Sequence, residues 1–258
     1  MKLGCILTAT NNNKLYSDFI PTFIKHWKHL VPTADVKILF IDDNIPDEYI
    51  AYKDHLILIK PHGELSNMNT AFIAQYIRLL YPALLRCEGG VMITDMDILP
   101  MNSSYYVDNI KNIPDNKFVY LRNVLFEYKE IAMCYNVACP SVWSDIFQIN
   151  SIDDIYEQLL SIYKSINYDG NHGGLGWTTD QKELYQRVLN WNQKTKNFVS
   201  LNDNETGFLR LDRGTFSIDQ NLINFIKTKK ITDYHALRPY STYKEMNDII
   251  TKIVCNEL

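Results

Sequence analysis

Apolar runs of strand length alternate along this chain with longer segments whose apolar residues recur at helical spacing, and no other feature constrains the fold as tightly. Residues 3–8 read as a buried strand that runs into the polar Thr10-Asn11-Asn12-Asn13. Residues 16–29 carry Phe19, Ile20, Phe23, Ile24 and Trp27 on a helical period, with Pro21 tolerated in a first turn. Strands are predicted over 36–41, ending in Asp42-Asp43, and over 55–59. The strongest helical pattern covers 68–85, where Pro82 is expected to kink the helix or end its regular part. Gly89-Gly90 then break the chain before a short apolar strand, 91–94, that stops at Asp95-Met96-Asp97. Further strands are predicted over 118–121, 132–138 and 208–211, and helices over 152–166, 179–189 and 243–254. Four of the ten glycines fall within 170–176, which predicts a mobile loop. The order predicts an α/β fold: one domain over 1–258 with a mostly parallel sheet flanked by helices.

Composition removes several classes of function. The net charge of −4, with 26 basic residues scattered along the chain, argues against a nucleic-acid or anionic-membrane surface. Five cysteines without a CxxC pair point to reduced, mostly buried thiols rather than a disulfide frame. No segment approaches the ~18 apolar residues of a membrane span, and no cleavage pattern follows residues 3–9, so a cytoplasmic protein is expected.

Asp95-Met96-Asp97 is a D-x-D triplet, which is weak as a motif alone. Its position strengthens it, because open α/β sheets bind ligands beyond the carboxyl ends of their strands. A period of two would send both carboxylates to one side, where a hard divalent cation would relieve their repulsion; a solvated turn is the plainer alternative.

Taken together, several pieces resemble a GT-A glycosyltransferase, in particular retaining enzymes of the glycogenin and lipopolysaccharide-galactosyltransferase type. They are Leu7-Thr8-Ala9-Thr10-Asn11 after the first strand, Tyr76-Ile77-Arg78 followed by Pro82, and the D-x-D. Beyond these come Tyr135-Asn136-Val137-Ala138, Asp180-Gln181 opening a helix, and His235 with Arg238-Pro239-Tyr240. The resemblance implies a Rossmann-like sheet, with about 1–100 as a nucleotide-binding half and about 101–258 as an acceptor-binding half. It implies metal-dependent hexosyl transfer from a nucleotide-diphosphate sugar, a UDP-sugar, to a hydroxyl acceptor on a glycan, protein or small molecule, with retention. Asp97, Asp95 and His235 would hold Mn2+ or Mg2+, and Asp95 would also reach the ribose. Thr8, Ala9, Thr10 and Asn11 would hold the nucleoside, and Arg238 the diphosphate. Arg78, Asp180 and Gln181 would face the reacting sugar, Asp180 serving as general base if configuration inverts. The spacing from His235 to Arg238 is shorter than the family's, and Arg stands where Lys is usual.

Each assignment has a plainer alternative: a structural histidine for His235, a surface arginine for Arg78, and a helix N-cap for Asp180. Asp42 or Asp43 would read uracil or ribose, or else cap a helix before Pro46. Trp177 would stack on an acceptor sugar or pack in the core, and His172 would meet acceptor or water. A haloacid-dehalogenase-like phosphohydrolase also uses a D-x-D, but with Thr or Val at the fifth position and in strand one; here that position is Leu99. A non-catalytic nucleotide- or glycan-binding module is the third reading. Nucleotidyltransferases require a Gly-rich loop after strand one, where residues 10–13 contain no Gly.

Overall fold

The computed structural model describes residues 1–214 and 216–257. Its strands are β1 (Leu3–Asn11), β2 (Asp35–Ile41), β3 (Leu56–Ile59), β4 (Gly90–Ile93), β5 (Ile98–Pro100), β6 (Phe118–Tyr120), β7 (Asn136–Ala138), β8 (Phe198–Ser200), β9 (Arg210–Leu211) and β10 (Asp233–His235). Seven form one sheet in the order β3-β2-β1-β4-β7-β6-β8. β1, β2, β3 and β4 are parallel, β7 is antiparallel to both its neighbours, and β8 is parallel to β6.

The inner strands are apolar without interruption because both faces of the sheet are covered. Ile6 of β1, Val36, Ile38 and Phe40 of β2, and Met92 of β4 enter one core with helices Ile20–Leu30 and Lys244–Val254. Their neighbours Cys5, Leu7, Leu39, Ile41, Val91 and Ile93 enter the other, beneath helices Thr70–Leu80, Pro140–Phe147, Ile152–Ser165 and Thr179–Thr195. The alternation of side chains along each strand sorts them between the two layers.

Several boundaries depart from expectation. The strong helix starts at Thr70, where the Asn69 side chain accepts from Ala71 N, and ends at Leu80; Pro82 leaves a 3-10 turn over Tyr81–Leu84. Only Asn136–Ala138 of the predicted 132–138 strand, and only Arg210–Leu211 of 208–211, pair in sheets. Short segments without periodicity went unpredicted, among them β5, β8, β10 and helices Pro140–Phe147 and Gln220–Lys227.

A second sheet, β5-β10-β9, was not predicted either. β4 stops at Ile93, Thr94 N still bonds Leu7 O (3.1 Å), and the chain turns through Asp95–Asp97, where Ile98 N meets Asp95 O (3.3 Å). β5 then leaves the main sheet to pair with β10, placing His235 opposite Ile98 and Ala236 N on Asp97 O at 2.9 Å. The acidic triplet therefore occupies the joint between two sheets. Among the described residues no helix is long and apolar enough to cross a membrane.

Candidate active site

A cavity of about 440 Å³ opens at this joint, beyond the carboxyl ends of β1 and β4. It is lined by Ala9, Thr10 and Asn11 after β1, by Arg78, by Asp95 and Asp97, by Asp180 and Gln181, and by His235 and Arg238. His172 and Trp177 also reach it, their rings 4.7 Å apart. Thr8 does not line it, being wholly buried within β1, and Asp42 and Asp43 lie outside it as well.

The two D-x-D carboxylates part company. They follow the strand rather than lie in it, so the period of two does not apply, and neither is uncompensated. Asp95 takes Arg78 Nη1 in a close ion pair. Arg78 is buried, its Nε donates to Gln75 O (3.1 Å), and its Nη2 reaches Asp180 Oδ2 at 3.3 Å. One guanidinium thus joins helices Thr70–Leu80 and Thr179–Thr195 to the turn after β4.

The two carboxylates respond differently. Burial raises Asp95, but the adjacent Arg78 outweighs it and the net shift is downward. For Asp180 burial prevails over Arg78, Asp95 adds repulsion, and the value is pushed up to about 6. Gln181 N donates to Asp180 Oδ1 (2.9 Å), and Gln181 Oε1 is buried without a hydrogen-bond partner.

Asp97 faces the opposite way, toward His235 Nε2 (3.7 Å), Arg213 Nη1 (3.2 Å) and Arg238 Nε (3.3 Å). Arg238 also donates to Tyr16 OH (2.5 Å) and lies over that ring at 5.0 Å. His235 Nδ1 donates to Asp212 Oδ1 at 2.6 Å. A carboxylate can only accept, so the Nε2 lone pair is directed at the corner with Asp97. Burial lowers the His235 pKa, which keeps the ring neutral at pH 7.

The corner's chemistry suits a divalent cation. Asp97 Oδ2 is buried without a hydrogen-bond partner and confronts a neutral imidazole nitrogen whose other nitrogen is fixed by a carboxylate, the support a ligating histidine requires. Asp97 and His235 are two donors; Asp95 is engaged by Arg78, and among the described residues no ready group of three ligating side chains is present.

Arg213, Arg210, Arg122, Asp212, Tyr16 and Gln75 escaped the sequence reading. Arg210 grips buried Asp233 through two bonds, 2.8 and 2.7 Å, while Arg122 pairs with Asp203 at 3.3 Å and lies 3.8 Å above the Phe208 ring. The position of Arg210 and Arg213 close upstream of a candidate ligand was available as a signal, but it names no partner.

No family model matches the sequence, and no curated protein matches it. Among solved structures the chain is similar to an active-site mutant of LgtC, at 12% identity and TM-score 0.51, over 98% of this chain and 95% of that one. LgtC, described as a galactosyltransferase in complex with donor and acceptor sugar analogues, also matches at 12% identity and TM-score 0.48, with the same coverage. The glycosyltransferase GlyE of Streptococcus pneumoniae TIGR4 matches at 15% identity and TM-score 0.52 over all of this chain, which spans 63% of GlyE. Despite the low identities, this chain has the GT-A fold of those glycosyltransferases, a mostly parallel seven-stranded sheet between helical layers.

Proposed function

We propose that this protein is a glycosyltransferase that moves a hexose from a nucleotide-diphosphate donor, a UDP-sugar, to a hydroxyl acceptor with retention. The observation that carries the reading is the pair of opposed clusters in one cavity: Asp95-Arg78-Asp180 on one wall, Asp97 with His235, Arg213 and Arg238 on the other. The GT-A fold adds support, since the cavity opens at the sheet edge where α/β folds bind nucleotides.

Each group has a task under this reading. Ala9, Thr10 and Asn11 hold the nucleoside within the half formed by about 1–100, while His172 and Trp177, from the half formed by about 101–258, face the acceptor. Arg238 and Arg213 supply cationic donors for the diphosphate, Arg by its planar fork. Asp97 and His235 would hold Mn2+ or Mg2+, with Asp95 joining if Arg78 yields it. Such an ion acts as a Lewis acid toward the negative charge that builds on a departing diphosphate. Asp180, ionised above pH about 6, supports the positive charge that develops on the sugar, and Arg78 fixes its orientation. With retention the departing diphosphate can take the acceptor's proton, so no separate base is needed.

The test is release of UDP from a panel of nucleotide sugars with and without manganese. Metal-dependent release is expected, and Asp97→Ala should abolish it while circular dichroism shows a folded protein. Near-normal turnover in that variant removes the assignment of Asp97. Phosphate release from simple phosphate esters would favour a phosphohydrolase, although Asp95, held by Arg78, is poorly placed as a nucleophile. Inactivity on both panels would indicate a binding module.

A further inference from the structure

The cation corner already contains a cation. Arg213 Nη1 stands 3.2 Å from Asp97 Oδ2, and the same guanidinium makes a close contact with His235 Nε2, so one side chain engages both donor atoms. Those donors are 3.7 Å apart, a span that a first-row dication with bonds of about 2.0–2.2 Å can bridge. Arg213 and a bound dication would therefore compete for one place.

Two further features make Arg213 displaceable. Asp212 Oδ1 accepts from Arg213 N (3.0 Å) as well as from His235 Nδ1, so the backbone of Arg213 is registered to the ligand while its side chain remains a quarter exposed. Gly214, at φ +79°, follows it with open space where a Cβ would stand. Asp97 also receives Arg238, so two guanidinium charges converge on one carboxylate and the corner is left with surplus positive charge. That surplus disfavours a bare dication and attracts an anion, and a diphosphate offers Arg213 a two-oxygen partner.

We propose that Arg213 is the resident counter-ion of Asp97 and His235 and passes to the donor's diphosphate as the metal enters, so that metal and nucleoside diphosphate load the site as a pair. This rests on the metal reading above and adds a residue and an order to it. Because coupling between sites is reciprocal, removing Arg213 must strengthen binding of the metal alone and weaken its synergy with nucleotide.

The experiment is Mn2+ binding to the full chain followed by electron paramagnetic resonance, with UDP absent or present and the solution Mn2+–UDP complex subtracted. Wild type and Arg213→Gln are compared, with equal melting temperatures as the folding control. The wild type should bind Mn2+ alone weakly, and Arg213→Gln should bind it about tenfold or more tightly, with a smaller enhancement by UDP. Equal Mn2+ affinity in the two proteins overturns the counter-ion role. The metal reading fails separately: if neither protein binds Mn2+ with UDP present, or Asp97→Asn leaves that binding unchanged, Asp97 is not a ligand.

Discussion

Arg78 and Asp180, 102 positions apart in sequence, meet in the interior with Nη2 and Oδ2 separated by 3.3 Å, while the other arm of the same guanidinium is taken by Asp95. Removing the arginine would leave a fully buried carboxylate and a partly buried one without counter-charge. An unpaired buried charge costs far more than the pair contributes. Arg78→Gln is therefore expected to lower unfolding free energy at pH 7.5 by about 3–5 kcal/mol in urea titration. Part of that loss should return near pH 5, where Asp180 takes up a proton; a neutral effect would mean the pairing is not maintained in solution.

Asp180 supplies a pH signature of unusual sign. Its native value, about 6, lies above the ordinary 3.8, so between those limits the native state binds a proton that the unfolded chain does not. Stability from this group is thus gained as pH falls through 6 and is absent above it. The difference in unfolding free energy, wild type minus Asp180→Asn, should grow by roughly 1.4 kcal/mol per unit as pH is lowered from 6 to 4. Turnover should move the other way, declining below pH 6 as the anion is lost.

His26 acts oppositely in an overlapping range. It is buried between Pro100 O (2.8 Å to Nδ1) and Thr251 Oγ1 (3.1 Å to Nε2), and burial lowers its value from 6.5 to about 4. Below pH 6.5 the unfolded chain protonates first, so native stability is lost progressively until about pH 4. Replacement by Gln should flatten the stability–pH curve over that window by roughly 1.4 kcal/mol per unit, read as a difference from wild type so that Asp180 cancels.

The approach of β1 to the turn before β4 depends on an absent side chain. A Cβ at Gly4 would stand 2.0 Å from the Glu88 carbonyl oxygen, a backbone atom that cannot step aside alone. Gly4→Ala is expected to cost about 1–3 kcal/mol in chemical denaturation, as overpacking does. Gly63→Ala, with open space but φ +57°, tests backbone strain without a clash and should cost about 1–2 kcal/mol.

Local pattern was sufficient for much of the architecture. Burial on both sheet faces makes strands continuously apolar and packing on one face gives helices their period, so β1 to β4 and the helices flanking them were legible from spacing alone. The same logic put the D-x-D just beyond a strand and Asp180 at a helix start, because both are statements about neighbours in sequence. Which charge meets which is a different matter. Arg78 finds Asp180 across 102 residues, and Arg213 reaches Asp97 only because β10 pairs with β5, a two-sheet joint whose three-residue strands carry no periodicity. Ionic partners are chosen by proximity and desolvation in three dimensions, and an arginine's spacing along the chain contains neither.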